Sequence, residues 1–280
     1  MRLRSLLYVP GNSERFIAKA HERGADAIVL DLEDSVLPEE KLTARAKLLE
    51  AIPAVGRNGG KVFVRVNAEP ELQKDDAVAA CRAGAFGLFV PKTSAAGSLS
   101  ELADWLDGEE RKGAREPLHF LAMLEDAGAV LEARSIARHQ RVLGLLTGGE
   151  DLATGMGADP LPEVLRLPKL LVHLAAKAEG KLSFGTLTTI ADYQDRDALE
   201  LAAREASSHG FDGATCIHPS AVAIMNAAFS PSKEKVAWAR SVVEAAEAAA
   251  VEGRAAFKLG DRMVDTPIIE RARRILEKTG

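Results

Sequence analysis

Eight short apolar runs recur along the chain, and each is followed by a segment with the periodicity of an amphipathic helix. The runs are SLLYVP (5–10), AIVLDLE (27–33), KVFVRVN (61–67), GLFVPK (87–92), HFLAMLE (119–125), RVLGLLTG (141–148), KLSFGTL (181–187) and GATCIHP (213–219). Each is nearly continuous rather than alternating in polarity, as expected of a parallel strand covered on both faces. Between them SERFIAKAHERG, DDAVAACRAG and RDALELAAREASSHG close on Gly24, Gly84 and Gly210, residues suited to a helix C-cap. Strand and helix alternating eight times predict an α/β fold, a (β/α)₈ TIM barrel. An open doubly wound sheet is the alternative topology, but no GxGxxG follows the first run.

Past the eighth run come a helix, SAVAIMNAAF, a long Ala-rich helix, SKEKVAWARSVVEAAEAAAVEG, and the tail FKLGDRMVDTPIIERARRILEKTG. A barrel does not need this tail to close. The expected division is a barrel over 1–230 and a C-terminal helical extension, or lid, over 231–280. In the tail Ile268, Ile269, Ile275 and Leu276 repeat at helical spacing and need a surface to cover, either the chain's own barrel or a neighbouring subunit.

Composition narrows the function classes. With 280 residues, of which 47% are hydrophobic and 28% charged, the chain can bury one large core and solvate its outside. A net charge of −5 lacks the basic footprint of a nucleic-acid binder. Cys81 and Cys216 are too few for a disulfide framework and read as small buried residues of a reducing compartment. The apolar stretch ahead of Gly11 is short and lacks a cleavage-like sequence, so no signal peptide is expected. No run approaches the ~18 residues of a membrane span. The expectation is a cytoplasmic protein with neither nucleic-acid nor membrane partners.

In such barrels the chemistry sits at the C-terminal ends of the strands. There the second run supplies Asp31, Glu33 and Asp34, the third Arg65 and Asn67, the fourth Lys92, the fifth Glu125, and the eighth His218; Glu150 and Asp151 follow the sixth. One strand-end charge is ordinarily a solvated group. Six strands ending in polar groups around one rim make a site, because unpaired buried charge is costly. Glu125 and Asp151 are the candidate metal pair: Mg²⁺ takes one or two carboxylates and completes its octahedron with water and substrate oxygens. Glu150 could replace Asp151 as the inward residue, and Asp151 could simply cap the following helix. There is no HExxH and no His/Cys cluster for zinc. Arg65 lies in a strand fit for burial and requires a partner, either a substrate carboxylate held bidentately or an internal ion pair with Glu33 or Glu125. Lys92 reads as a Schiff-base lysine or as a charge partner of the carboxylates, and His218 as a satisfied core histidine rather than an acid/base. The loop TGGEDLATGMGADP could let backbone approach a ligand. Arg4, Lys19 and Arg45 are candidates to line a path for CoA phosphates, or are surface charge.

The segments RSLLYVPG, DAIVLDLEDSV, VFVRVN, FVPKT, MLEDAGAV, GLLTGGEDLA, GFDGATCIHP and DRMVDTPIIERA, in this order, resemble the citrate lyase beta-subunit-like proteins, within the wider group of metal-dependent aldolases and malyl-CoA lyases. The likeness spans nearly the whole chain. It implies a (β/α)₈ barrel holding Mg²⁺ (or Mn²⁺) through Glu125 and Asp151, with Arg65 on the carboxylate of a keto acid; Glu33, Lys92 and Asn67, from their places at the strand ends, are expected to line the substrate site. It also implies a homotrimer, or a dimer of trimers, in which Asp265 of the VDTP segment closes over a neighbour's site as acid/base. Where the family often reads GKxxIHPxQ this chain has GATCIHPSA, placing Ala214 and Ala221 where Lys and Gln are common. The activity so implied is Mg-dependent cleavage or formation of a 3-hydroxyacyl-CoA of malyl- or citramalyl-CoA type, giving acetyl- or propionyl-CoA and a 2-keto acid. A carrier-dependent citrate lyase beta subunit and a metal-dependent acyl-CoA thioesterase are the rival readings.

Overall fold

The computed structural model describes residues 1–188, 194–251, 253–254 and 256–279. Leu3–Ala227 forms one compact unit and Ala228–Gly280 a second. In the first, eight strands, β1 (Ser5–Pro10), β2 (Ala27–Asp31), β3 (Lys61–Arg65), β4 (Gly87–Val90), β5 (His119–Leu124), β6 (Val142–Thr147), β7 (Leu182–Phe184) and β8 (Ala214–Cys216), pair in parallel. Their order is β7-β6-β5-β4-β3-β2-β1-β8. Between β7 and β8 a single bridge, Phe184 to Gly213, spans the seam, with Gly185 N donating to Gly213 O at 2.9 Å and Asp212 N to Ser183 O at 2.9 Å. The sheet is therefore a nearly closed eight-stranded parallel barrel.

Helices α1 (Glu14–Ala20), α2 (Lys41–Gly56), α3 (Pro70–Ala83), α4 (Ala96–Gly113), α5 (Ala127–Leu131), α6 (Ala133–Ala137), α7 (Gly149–Gly155), α8 (Pro162–Ala178) and α9 (Arg196–His209) fill the connections, and α10 (Ser220–Ala228) follows β8. Gly84 and Gly210 take the left-handed C-cap of α3 and α9. The chain ends α1 earlier, at His21, with Gly24 in the turn beyond.

The continuous apolar runs have a direct cause in this architecture. Alternate residues fill the barrel: Leu6, Ala27, Val29, Phe63, Phe89, Leu121, Met123, Leu146 and Phe184 form one cluster, with Tyr8 packed against it. Phe63 meets Phe89 edge-on at 5.7 Å, and Tyr8 meets Phe89 at 5.8 Å. The residues between them, such as Leu7, Ile28, Val64, Leu88 and Phe120, are buried toward the helices. Both faces being covered, no polar alternation survives. The same alternation carries Asp31, two after Val29, and Arg65, two after Phe63, inward above the aromatic layer, where they are register partners. The seventh and eighth strands are shorter than the apolar runs suggest, three residues each, because the ladder lapses at the seam.

The second unit pairs α11 (Lys233–Val251) with α12 (Thr266–Glu277) across a hairpin of β9 (Phe257–Leu259) and β10 (Arg262–Val264). Glu252, within the expected Ala-rich helix, lies outside the described residues. Ala239, Val242, Ala246, Ala249, Phe257, Val264 and Ala272 form its core, against which Ile268, Ile269, Ile275 and Leu276 pack. The apolar stripe of the tail thus packs, partly buried, on its own unit, chiefly α11, rather than on the barrel. The hairpin was not apparent in the sequence because its strands are three residues long. Both cysteines are free and buried. Among the described residues no helix is long and apolar enough to cross a membrane.

The seam supplies a stability test. A Cβ on Gly213 would lie 2.1 Å from Leu3 O and 2.8 Å from Arg4 O, main-chain atoms leading into β1 that cannot yield without breaking the ladder. Gly213→Ala is expected to cost about 3 kcal/mol by overpacking, read as a lowered denaturation midpoint. Gly108→Ala, mid-helix in α4 with open space around it, should gain about 0.5–1 kcal/mol in the same assay.

Candidate active site

The inward pair Asp31–Arg65 organises the rim. Arg65 Nε and Nη2 each donate to the Asp31 carboxylate at 2.6 Å, a bidentate clamp, while the guanidinium stacks 4.9 Å above the Tyr8 ring. Its remaining nitrogen, Nη1, reaches Asp34 at 2.8 Å and Glu33 at 3.1 Å. Arg65 is 9% exposed and Glu33 8%, whereas the Asp34 side chain is 74% exposed. The internal partner of Arg65 is thus chiefly Asp31, one strand away in register, rather than the Glu33 or Glu125 weighed from the sequence. Burial alone would raise the Asp31 carboxyl, but hydrogen bonds from Arg65 and from the Ser35 and Glu33 amides outweigh it and hold its pKa below the usual range. Glu33 behaves oppositely: burial, reinforced by Asp34 and Glu125, outweighs Arg65 and pushes it up to about 8. At neutral pH Glu33 is therefore mostly protonated, and Arg65 is neutralised by Asp31 with Asp34 as an exposed supernumerary partner.

Glu125 stands across the mouth, 8% exposed. Its Oε2 accepts the Lys92 main-chain N–H at 2.7 Å, and its Oε1 packs on the Cα of Gly148, where a Cβ would fall only 2.4 Å away. Gly148 is thus glycine because the carboxylate occupies its side-chain space; the close approach made by the Gly-rich loop is to Glu125. Burial raises the Glu125 pKa, and the Asp151 charge adds to it, so the two carboxylates feel one another. Asp151 and Glu150 lie in the first turn of α7, both exposed. Two hard carboxylates with oxygens facing a cavity are a donor set that fits Mg²⁺ or Mn²⁺, ions that keep several waters. Among the described residues no group of three or more His, Cys, Asp or Glu side chains is arranged so that it could hold a metal ion by itself.

A cavity of about 580 Å³ opens at this rim, lined by Tyr8, Asp34, Arg65, Glu125, Asp151 and Lys169 among others. That volume suits a small acid and the reacting end of a larger substrate.

Several expected site residues are placed otherwise. Lys92 adopts φ 47°, which turns its amide to Glu125 and leaves its side chain exposed, so its contribution to the carboxylates is a main-chain hydrogen bond. Asn67 is fully buried; its Nδ2 and N–H donate to Asp76, and its Oδ1 accepts Lys41 Nζ, so it holds α2 and α3 to the sheet rather than substrate. Arg4 precedes β1, at the opposite end of the barrel, and is clamped on Asp26 at 2.7 Å. Arg45 bridges to Asp76 and Asp75 of α3 at 2.6 and 3.0 Å. Lys19 is exposed in the last turn of α1, which runs away from the rim. None of the three lines the cavity. His218 is exposed rather than core, and its Nδ1 accepts the Ser220 N–H at the start of α10. Asp265 is the exposed N-cap residue of α12, and its side chain makes no capping hydrogen bond.

Two residues went unread in the sequence. Lys41 donates to the Leu32 and Glu33 carbonyls at 3.1 Å and so fixes the loop that carries Glu33. Lys169 is 7% exposed on α8, yet in sequence it falls on the helix's apolar stripe, four after Leu165 and three before Val172. A lysine on a buried stripe was the available signal.

The Glu33 environment generates a pH prediction. An acid whose pKa rises on folding, here from 4.5 to about 8, binds more protons folded than unfolded across that window, so its contribution to stability is lost as pH rises. Asp31, with a lowered pKa, destabilises only as pH falls into the acid range. Glu33→Gln should therefore flatten the decline of the denaturation midpoint through that window and leave the acid limb intact. An unchanged alkaline slope would mean that Glu33 is ionised when folded.

The site is set among known proteins by three comparisons. The sequence model of the HpcH/HpaI aldolase/citrate lyase family matches residues 4–219. The chain is 34% identical over 283 residues to a (3S)-malyl-CoA thioesterase of Cereibacter sphaeroides, covering 98% of this chain and 94% of that protein. It is 33% identical over 281 residues to the citrate lyase subunit beta of Escherichia coli, covering 98% and 92%. Among solved structures it is similar to the CitE protein of Mycobacterium tuberculosis in complex with magnesium, acetoacetate and coenzyme A, at a TM-score of 0.81 and 31% identity over 99% of this chain and 97% of that one. A match across the barrel together with relatives spanning nearly the whole chain shows that this protein belongs to the HpcH/HpaI aldolase/citrate lyase family.

Proposed function

We propose that the protein is a divalent-metal-dependent carbon–carbon lyase acting on a 3-hydroxyacyl thioester, yielding a 2-keto acid and acetyl- or propionyl-CoA, or joining them in reverse. The observation that carries the reading is the Arg65 guanidinium, held bidentately by Asp31 and bonded at its third nitrogen to an exposed Asp34, beside the carboxylates of Glu125 and Asp151 on one cavity. Asp34 occupies the place of a substrate carboxylate. Because its side chain is exposed, swinging away costs little, and an incoming acid group takes over the Nη1 contact while Asp31 keeps the guanidinium oriented. Protonated Glu33 can donate a hydrogen bond to the same acid group without repelling it.

Glu125 and Asp151 would hold Mg²⁺ (or Mn²⁺), which supplies Lewis-acid stabilisation of negative charge on the reacting oxygen. The Lys92 amide and the bare Cα of Gly148 fix the direction in which Glu125 presents its oxygens. Asp265, contributed by a neighbouring copy in a homotrimer or dimer of trimers, is the acid/base that moves the proton at the thioester α-carbon. The absence of any capping hydrogen bond leaves its carboxylate available for that role. The CoA moiety enters through the similarity to relatives named for malyl-CoA and to a structure solved with coenzyme A; Arg4, Lys19 and Arg45 do not line the cavity itself. The thioesterase relatives favour a second reading, in which water releases free acid and CoA.

The test is turnover of malyl- and citramalyl-CoA by purified protein with Mg²⁺, followed by keto-acid formation. Glu125→Gln and Asp151→Asn should each lower kcat about 100-fold or more with the fold intact. Asp265→Asn should also be inactive, yet mixing it with Glu125→Gln under subunit exchange should restore part of the activity. Turnover unaffected by saturating EDTA contradicts the metal reading. CoA released without keto acid selects the thioesterase. No recovery in oligomers shown by mass spectrometry to be mixed removes the action of Asp265 in trans.

A further inference from the structure

Lys169 projects from the middle of α8 onto the cavity wall and is 7% exposed. Among the described residues its Nζ makes one hydrogen bond, to the Thr188 carbonyl at 3.1 Å, and no ion pair. Thr188 follows the C-terminal end of β7, so the ammonium is held at the end of the barrel where Arg65, Glu125 and Asp151 line the same cavity. Thr186 donates its hydroxyl to the same carbonyl at 2.7 Å and helps to fix it. An ammonium has three donors, so two N–H groups of Lys169 have no acceptor among the described residues, and burying such a charge without an anion costs free energy. Burial outweighs the pull of Glu150 and brings the Lys169 pKa down to about 8, which leaves the side chain mostly protonated at neutral pH. The buried guanidinium groups are compensated: Arg65 by Asp31, Glu33 and Asp34, and Arg141 by Glu110 at 2.6 and 2.7 Å.

Cleavage of a 3-hydroxyacyl thioester leaves one developing charge unmatched. The hydroxyl gives its proton to Asp265 of the neighbouring copy and its oxygen becomes the keto oxygen, while the electron pair of the breaking carbon–carbon bond moves onto the thioester as an enolate. Asp265 then returns the proton to the α-carbon, so atoms and charge balance. Arg65 meets the acid group and the Glu125–Asp151 site meets the hydroxyl oxygen. The thioester oxygen, where the enolate charge gathers, has no partner among them. Resting on the lyase reading, we propose that Lys169 is a further catalytic residue, which donates N–H to the thioester carbonyl oxygen and stabilises the enolate that cleavage produces. A donor already fixed in a buried wall needs no reorganisation as charge grows on its acceptor. Its contact is therefore stronger in the transition state than in the bound thioester, which is the condition for raising kcat.

The experiment pairs binding with turnover. Carboxymethyl-CoA, a stable anionic mimic of the enolate, and acetonyl-CoA, a neutral compound of nearly the same shape, are titrated by calorimetry into wild type and Lys169→Met, with Mg²⁺ and pyruvate present to occupy the acid end. Wild type is expected to bind the anionic compound at least about tenfold tighter, the worth of one charge-assisted contact. In Lys169→Met that ratio should collapse toward one, with pyruvate affinity retained. Turnover of malyl- or citramalyl-CoA by the variant should fall about 100-fold in kcat with little change in KM, as for loss of one oxyanion donor. Its denaturation midpoint should hold or rise, since an uncompensated buried charge is removed at similar volume. A lowered midpoint with weakened pyruvate binding would make Lys169 a structural anchor for Thr188 and overturn the proposal. A preference for the anionic compound that persists in Lys169→Met also overturns it. Wild type that forms keto acid yet binds the two compounds equally overturns it while leaving the lyase reading standing. Wild type that forms no keto acid from either thioester removes the lyase reading, and the proposal with it.

Discussion

The buried pair of Asp31 and Arg65 is the constraint on which the rest of the site depends. Strand alternation puts both residues inward at the top of the barrel, and parallel register puts them side by side. The carboxylate takes two of the guanidinium's nitrogens; removing Asp31 would leave those two buried donors unpaired, with Glu33 and Asp34 on the third nitrogen alone, a cost of about 3 kcal/mol. The pair rests on the Tyr8 ring, whose hydroxyl is held far above its ordinary pKa by burial, and Tyr8 in turn closes the aromatic layer of Phe89 and Phe63. Packing in the barrel core thus fixes a charge at its mouth.

From that fixed charge the other groups take their properties. Asp31 satisfies Arg65, so further carboxylates nearby are in excess, and Glu33, being buried, answers by holding its proton. Asp34, being exposed, answers by remaining displaceable. Glu125 is removed from this competition by the Lys92 amide and the absence of a side chain at Gly148, and it shares the mouth with Asp151. Desolvation, register and one missing Cβ therefore separate four neighbouring carboxylates into a clamp, a proton holder, a placeholder and one half of a cation site.

The fold was legible in the sequence because two-sided burial leaves its mark on every strand: the run SLLYVP coincides with β1, and the remaining runs overshoot their strands only at the ends. The rim was legible as a set of residue types at strand ends. What could not be read was how those groups divide among partners. Arg65 and Asp31 are 34 residues apart, and their pairing follows from register, which no local pattern encodes. Lys92 looked chemical, but its left-handed φ makes the main chain the useful part. Arg4 and Arg45 looked free because Asp26 and Asp76, their partners, are distant in sequence. Asn67 was misplaced for the same reason. The hairpin before Asp265 was too short to register, and the stripe of α12 found its cover on α11.

The central claim is that Asp34 stands where the acid group of the substrate binds, on a guanidinium held ready by Asp31. The most direct measurement is the dissociation constant of a 2-keto acid such as pyruvate, with Mg²⁺ present, for wild type and Asp34→Asn. Removing the competing charge while keeping the side chain's shape should tighten binding, by about threefold to tenfold for a largely exposed ion pair. Binding that is unchanged or weaker in Asp34→Asn would contradict the account, because Asp34 would then not be occupying the carboxylate's place.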